Sequence, residues 1–226
     1  MSGVPASAAG RIELDHLVVA CRTLDAGRAW CQASFGIAPA TGGRHALMGT
    51  HNLLLALSSP RFARTYVELI AIDPDAPAPS RPRWFDLDQP ALQAGIASGP
   101  RLVHWVARSD DIVAATSALR VAGFDAGAVV DAERMTPRGL LRWRIAIPAD
   151  GRRHADGAVP LLIQWGDVHP TDDLPESGVD LCSFGVAGIA PELAARLGVD
   201  ALGETSVAPL TAELSGPLGA VTLISA

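Results

Sequence analysis

The chain has 226 residues, of which 49% are hydrophobic and 19% are charged, so it is long and apolar enough to bury a sizeable core. Its net charge of −6 argues against a nucleic-acid partner, because no basic stripe offsets the acidic residues. Every basic side chain other than histidine is arginine, which excludes lysine Schiff-base chemistry and a P-loop lysine.

The chain's location is predicted from its cysteines and its N-terminus. Cys21, Cys31 and Cys182 are odd in number and widely spaced, which indicates no disulfide framework and favours the cytoplasm. Residues 1–10 are small and polar, which predicts a flexible tail rather than a signal peptide. No apolar run approaches the roughly 18 residues of a membrane helix, so no membrane partner is expected.

Residues 11–72 predict a first β-α-β-β-β module. An apolar strand over 12–21 is followed by a helix over 26–35, with Asp25 as its N-cap and Gly36 as its stop. Three more strands are predicted near 45–48, 52–57 and 66–72. Residues 73–100 are rich in proline and aspartate and predict a linker with a short helix near 90–97.

Residues 101–168 predict a second module of the same kind. When His104 is aligned with His16, RLVHWVARSDDIVAATSAL runs in step with RIELDHLVVACRTLDAGRAW. A strand-plus-helix unit that recurs within one chain indicates duplicated architecture. The remaining elements are predicted as strands over 125–130, 140–148 and 159–167, with a loop over 131–138.

Residues 169–226 predict a partial β-α-β-β module that caps an edge of the sheet or extends it, because exposed edges need covering. The predicted fold class is therefore α+β, with two paired β-α-β-β-β modules and a C-terminal partial module.

Four polar residues lie in the first and last strands of the two modules, namely His16, Glu68, His104 and Gln164. An ionisable group inside a buried strand needs a partner, and strand alternation lets all four point away from the helices. Imidazole nitrogen and carboxylate oxygen suit a divalent ion such as Zn, Ni, Fe or Mn. The alternative is a buried His16–Glu68 pair, with His104 as a hydrogen-bonded core histidine.

The stretch GGRHALMGTHN contains two further candidates, His45 and Asn52. Its glycines favour a close approach of the backbone. Asn52 and Thr50 either support the turn or contact a substrate, and His45 and His51 are either surface residues or ligand-binding residues.

Arg142 and Arg144 share one face of a predicted strand. On a concave face such a pair would bind a carboxylate, whereas on a solvent face it would only add charge. The loop residues His154 and His169 are both predicted to lie on the surface.

The segments LDHLVVACRTLDAGRAW, GGRHALMGTHNLLLAL, YVELIAI and PLLIQWGDVHP together resemble the glyoxalase-like domain proteins of the vicinal oxygen chelate superfamily. The resemblance covers residues 12–170 and, more loosely, the C-terminal tail. It implies paired, strongly curved sheets around a cleft that holds a metal, with His16, Glu68, His104 and Gln164 at the four ligand positions.

The same resemblance implies that the metal acts as a Lewis acid on vicinal oxygens of a substrate. In glyoxalase I a carboxylate of the second module acts as ligand and base, but Gln164 stands at that position and cannot accept a proton. Glu68 is therefore the predicted catalytic base.

Three functions follow as hypotheses. The first is a metal-dependent lyase or isomerase for a small oxygenated substrate, with no nucleotide cofactor and with a homodimer as a possible assembly. The second is an extradiol-type dioxygenase that uses His16, His104 and one carboxylate. The third is a metal-free binding protein of the same fold, which requires an aromatic-lined cleft to which Trp84, Trp105, Trp143 and Trp165 would contribute.

Overall fold

A computed structural model describes residues 10–136, 139–203, 206 and 208–225 of the chain. Apart from Gly10, the tail predicted for residues 1–10 lies outside these residues. None of the described helices has the length and apolar character that a membrane crossing requires.

The first half of the chain forms one helix and four strands. They are β1 (Ile12–Ala20), α1 (Leu24–Phe35), β2 (Ala40–His45), β3 (Thr50–Leu57) and β4 (Thr65–Ile72). Helix α1 is capped by Thr23, whose Oγ1 accepts from the Ala26 amide, so the predicted cap at Asp25 is wrong by two residues. Gly36 adopts the left-handed conformation with φ 72° and ends the helix, as predicted.

The second half repeats this order after a linker. The linker carries α2 (Pro90–Ile96), and the repeat consists of β5 (Arg101–Ser109), α3 (Ile112–Val121), β6 (Ala128–Thr136), β7 (Gly139–Ile147) and β8 (Leu161–Trp165). Strand β6 pairs with β7 continuously from Ala128 to Thr136. The loop predicted for residues 131–138 is therefore wrong over 131–136, and residues 137 and 138 lie outside the described residues.

The eight strands form one sheet with the order β2-β3-β4-β1-β5-β8-β7-β6. Within each repeat the first strand lies parallel to the last, as β1 with β4 and β5 with β8. The two repeats meet where β1 runs antiparallel to β5. This arrangement brings the strands that carry His16, Glu68 and His104 side by side at the centre of the sheet.

The two faces of the sheet have separate hydrophobic cores. One core contains Leu17, Val67 and Trp105 together with Phe35 of α1 and Leu119 of α3, so this is the helix face. The opposite, inner face contains a second core, which residues of the linker cover. Its members include Val18, Ile70, Val106, Ile145 and Ile163, with Trp84, Phe85 and Leu87 of the linker.

The C-terminal residues form a separate small sheet. It consists of β9 (Asp180–Val186), α4 (Pro191–Arg196), β10 (Asp200–Ala201), β11 (Leu210–Gly216) and β12 (Gly219–Ile224). Its strands have the order β10-β9-β11-β12. The module forms its own sheet instead of extending the main one, and its Phe184 packs on Trp105 in the helix-face core, with ring centroids 5.3 Å apart. Single bridges join it to the main sheet region at Ser58–Asp180 and Leu102–Ser225.

Candidate functional site

A β-bulge in β1 turns two consecutive polar residues toward the candidate site. Leu14 pairs with Ala107 of β5 and His16 pairs with Val106, which leaves Asp15 as the extra residue. Leu14 lies in the helix-face core, so it does not share a face with His16 as simple alternation predicts. The bulge therefore allows Asp15 and His16 to act as a unit.

Asp15 is completely buried and is surrounded by donors. Its Oδ1 lies 2.6 Å from Nδ1 of His16, and its Oδ2 accepts from Nε1 of Trp165 at 2.9 Å. Nε2 of His169 lies 3.0 Å from the same Oδ2. Because a buried carboxylate needs partners, these three rings fix the orientation of Asp15 and, through it, of His16.

Glu68 of β4 lies on the other side of the His16 ring. Its Oε2 is 3.6 Å from Nε2 of His16, and its Oε1 accepts a hydrogen bond of 2.6 Å from Nδ2 of Asn52. Tyr66 stacks on the His16 ring, with centroids 4.6 Å apart. The imidazole is thus held between two buried carboxylates, which confirms the His16–Glu68 pair as a spatial contact.

These contacts shift the ionisation of the whole cluster. Burial opposes a charged imidazole, but Asp15 and Glu68 outweigh it and raise the pKa of His16 to about 9. Burial also opposes ionisation of Glu68, yet His16, His45 and Asn52 lower the pKa of that carboxyl below its usual value. The pKa of Asp15 is lowered by His16 and His169 against the effect of burial. At neutral pH the cluster therefore contains an imidazolium between two carboxylates.

Asn52 is positioned by the glycine pair that precedes it. Its Oδ1 accepts the amide of Gly43 at 2.7 Å. A Cβ at Gly42 would lie 2.0 Å from the same Oδ1, so only glycine fits there. Asn52 thus both supports the turn and holds Glu68, whereas sequence reasoning treated turn support and a role in the site as alternatives.

His45 also lies at the cluster. Its side chain is largely buried, with Nδ1 3.0 Å from Oγ1 of Thr50 and Nε2 3.9 Å from Oε1 of Glu68. Burial lowers the pKa of His45, so the ring is neutral at pH 7. The structure thus brings His45 and Asn52 to Glu68 and excludes the surface alternative for His45.

Two cavities adjoin the cluster. The inner one has a volume of about 40 Å³ and the outer one about 230 Å³, and both are lined by Leu54, Arg134 and Pro170. Aromatic rings form much of the inner wall, namely those of Tyr66, Trp84, Phe85, Trp143 and Trp165. Glu68 and His16 also line this cavity.

Gln164 does not join the cluster. Its Oε1 accepts the amide of Ile112, the first residue of α3, and its Nε2 donates to the carbonyl of Asp110. The prediction that Gln164 points away from the helices is therefore wrong. Its neighbour Trp165 lines the inner cavity instead, because side chains alternate along β8.

His104 lies on the central strand β5 and is buried. Its Nε2 accepts the amide of Leu161 at 3.2 Å, whereas its buried Nδ1 has no hydrogen-bond partner among the described residues. Burial and the charge of Arg153 lower the pKa of His104 to about 3, so the ring is neutral. These contacts agree with a hydrogen-bonded core histidine, the alternative that the sequence left open.

The arginine pair lines neither of the two cavities beside Glu68 but a separate cavity of about 620 Å³, which Gln164 also lines. Arg142 is 70% exposed and bonds Glu133, and Arg144 is 42% exposed and lies 3.7 Å from Asp131. Arg144 of β7 pairs with Gln164 of β8, so the two side chains lie on the same face of the sheet. Arg142, two residues before Arg144, lies on that face as well. The structure therefore does not bring the predicted substrate arginines to Glu68.

Three functional candidates were missed by the sequence reasoning. Asp15 precedes the predicted ligand His16, but regular strand alternation predicts that its side chain points to the opposite face. Arg134 was assigned to a loop. His169 was predicted to lie on the surface, which is wrong, because it is 4% exposed and contacts Asp15. Only the adjacency of Asp15 to His16 offered a sequence signal.

The donors do not fit the four-ligand metal set that the resemblance implies. Gln164 is bound to the start of α3, and the Nε2 lone pair of His104 is occupied by a backbone amide. Over the described ranges, no group of three or more His, Cys, Asp or Glu side chains is arranged to hold a metal ion. His16 and Glu68 alone remain of the predicted set.

The stability of the protein should depend on pH through the histidines. The raised pKa of His16 means that its contribution is complete below pH 6.5 and is lost as pH rises toward about 9. The lowered pKa of His104 acts oppositely, because its contribution is complete above pH 6.5 and is lost as pH falls toward about 3. The free energy of unfolding should therefore peak near pH 6.5 and fall by about 3 kcal/mol toward pH 9.

Urea unfolding across this pH range measures the effect. A His16→Gln variant serves as the control, since it should lose the alkaline decline and keep the acidic one. An alkaline decline of equal size in both proteins would contradict the assignment to His16.

Comparisons with known proteins find solved structures that are similar to this chain. A hypothetical protein from Staphylococcus aureus has a TM-score of 0.54 and 15% identity, over 95% of this chain and 86% of that chain. Methylmalonyl-CoA epimerase from Mycobacterium tuberculosis has a TM-score of 0.38 and 20% identity, over 72% of this chain and 91% of that chain. The Streptomyces coelicolor epimerase in complex with 2-nitronate-propionyl-CoA has a TM-score of 0.40 and 19% identity, over 68% and 95% respectively.

A search of curated proteins finds no match. The family profile described as a glyoxalase-like domain matches residues 14–202, which include both repeats and the start of the small sheet. The Staphylococcus aureus structure supports the fold alone. The duplicated β-α-β-β-β architecture and the profile together show that this chain belongs to the glyoxalase-like domain family.

Proposed function

We propose that the chain is a proton-transfer enzyme, an isomerase or a lyase, that acts on a small oxygenated substrate beside Glu68. The observation that supports this proposal is a buried, ionised carboxylate at a cavity wall, paired with an imidazolium that a second carboxylate orients. Paired acid and base groups with shifted pKa values are typical of catalytic sites.

Glu68 is the base in this proposal. It removes a proton from a substrate carbon next to a carbonyl group, and the electron pair of that C–H bond moves through the carbon–carbon bond onto the carbonyl oxygen. The charge of His16 stabilises the oxyanion that develops. Glu68 then returns the proton to the same or a neighbouring carbon, or the intermediate loses a leaving group. Asn52 holds Glu68 in place through its bond of 2.6 Å to Oε1.

The metal-dependent form of this reaction stays a prediction that the donor arrangement does not favour. The extradiol dioxygenase has the same difficulty, because it needs His104 as a ligand and Nε2 of that ring already accepts the amide of Leu161. The proposed proton transfer therefore uses only side chains of the chain itself. A cytoplasmic location and a homodimer also stay predictions.

Solvent exchange tests the proposal directly. Small ketones, oxo acids and hydroxy aldehydes are incubated with the protein in deuterium oxide, and proton NMR follows loss of the carbon-bound hydrogen signal. At least one of these substrate classes should exchange faster with wild type than with buffer, and pretreatment with a chelator should leave that rate unchanged.

A rate that is lost on chelation and restored by Zn, Ni, Fe or Mn would contradict the metal-free mechanism. Exchange that equals the buffer rate for every compound would contradict proton transfer.

A second candidate function is binding without turnover. Five aromatic rings line the inner cavity, as the metal-free binding hypothesis requires, and Trp84, Trp143 and Trp165 are among them. The expectation that Trp105 contributes is wrong, because that ring lies in the helix-face core. Such a protein would bind compounds of the panel, and neither wild type nor a Glu68→Gln variant would exchange their hydrogens.

A further inference from the structure

Arg134 of β6 lies at the junction of the two cavities. It lines both the inner cavity beside Glu68 and the outer cavity of about 230 Å³. A small organic molecule in the outer cavity therefore lies against the same guanidinium that borders the space beside Glu68.

The packing of Arg134 depends on the glycine pair that also positions Asn52. Nη1 of Arg134 donates to the carbonyl of Gly42 at 3.3 Å. A Cβ at Gly43 would lie 2.8 Å from Cδ of the arginine and 2.9 Å from Nη1, so a larger residue would displace the side chain. The same two glycines thus hold Asn52 on Glu68 and leave the space that Arg134 fills.

The guanidinium of Arg134 keeps donors for a ligand. An arginine has five N–H donors, and within the described part of the chain the Gly42 carbonyl is the acceptor found for this one. No Asp or Glu among the described residues lies within ion-pair distance of Arg134. By contrast, Arg64 forms an ion pair with Asp172, and Arg108 forms one with Glu13. A partly buried arginine with spare donors at a cavity wall is suited to an anion from outside the chain.

The charges around Arg134 favour a small anion. Glu68 and Asp173 act on Arg134 electrostatically, and Arg134 in turn lowers the pKa of His45. A single guanidinium matches one carboxylate in a two-bond fork, whereas a phosphate dianion would need further donors beside the negative Glu68. The neighbouring carboxylates therefore select a singly charged ligand.

We infer that Arg134 binds the carboxylate of a short 2-oxo acid and so directs the carbon next to its oxo group toward Glu68. The placement of the reacting carbon rests on the proposed function, while the anion site rests on Arg134 alone. In such a substrate Glu68 takes a proton from C3, the C–H electron pair forms the C2–C3 double bond, and the oxo group becomes an enolate oxygen near His16. The carboxylate itself stays unchanged and serves as the anchor.

Titration calorimetry with pyruvate and with its uncharged counterpart pyruvamide tests the site without any turnover. Wild type should bind pyruvate at least tenfold more tightly than pyruvamide. An Arg134→Gln variant should lose that preference. An Arg134→Lys variant keeps the charge but not the two-bond fork, so its preference for pyruvate should lie between those of wild type and Arg134→Gln. Inorganic phosphate at the same concentration should not displace pyruvate.

An Arg144→Gln variant is the matched control, because Arg144 lies on the neighbouring strand and lines neither of the two cavities beside Glu68. It should bind pyruvate as wild type does. Equal affinity of wild type for pyruvate and pyruvamide, no binding of pyruvate at tens of millimolar, or equal losses in the Arg134 and Arg144 variants would each overturn the inference.

The outcome separates the two proposals. Binding of pyruvate that depends on Arg134, without exchange of its hydrogens in deuterium oxide, would support the anion site and contradict proton transfer. Exchange that is unaffected by Arg134→Gln would support proton transfer and contradict the anion site.

Discussion

A Glu68→Gln variant is expected to exchange the carbon-bound hydrogen of its substrate about 10²–10⁴-fold more slowly than wild type and to stay folded. Glutamine nearly matches the shape of glutamate and keeps an oxygen that can accept from Asn52, but it cannot take the substrate proton. The rate is measured as hydrogen loss in deuterium oxide, and the melting temperature confirms the fold.

The matched control for this variant is Glu13→Gln. Glu13 forms a partly exposed ion pair with Arg108 and lies outside both cavities of the site. This control should exchange hydrogens at the wild-type rate. A Glu68→Gln variant that is within twofold of wild type would contradict the assignment of Glu68 as the base.

An Asp15→Asn variant is expected to lose about 3–5 kcal/mol of the free energy of unfolding. The buried carboxylate accepts hydrogen bonds from His16, Trp165 and His169. Asparagine replaces one of its two oxygens with an NH2 group, which would face another donor. The His16 imidazolium would also lose its closest counter-charge. Urea unfolding near neutral pH measures the loss.

Asp75→Asn is the control for that measurement. Asp75 is exposed and lies 3.3 Å from Nη2 of Arg44, so its removal should cost no more than about 1 kcal/mol. A loss for Asp15→Asn that equals the loss for this control would show that Asp15 does not hold the cluster together.

The repeat in the sequence predicted much of the fold, because residues 11–72 and 101–168 carry the same order of strand and helix signals. The positions of polar residues in the first and last strands also identified His16 and Glu68, which the structure places 3.6 Å apart. These successes share a cause. Parallel pairing of the first and last strands in a module is a consequence of the module's topology, so residues at the centres of those strands are brought together.

The failures of the sequence reasoning arise from strand register. Alternation holds only in a regular strand, and the bulge at Asp15 moves Leu14 to the helix face while it brings Asp15 to His16. At Gln164 the predicted face was wrong by one residue. Gln164 was predicted on the inner face, but its neighbour Trp165 lies there. A shift of one residue reverses every side chain of a strand.

Arg134 and His169 were missed for a different reason. The polar run DAERMT resembles a loop in composition, yet it forms an edge strand because β7 supplies its backbone partners. His169 follows the last strand of the repeat, and its burial depends on contact with Asp15, which is 154 residues away in the chain. Contacts between such distant segments leave no periodic signal in the sequence.

The proposed site depends on His16 as an imidazolium held between Asp15 and Glu68. Nitrogen-detected NMR of the His16 ring, titrated through the alkaline range, measures its ionisation directly. Both ring nitrogens should carry protons at pH 7, the pKa of His16 should lie near 9, and Glu68→Gln should lower this pKa. A neutral His16 ring at pH 7, with a pKa close to 6.5, would contradict this charge state.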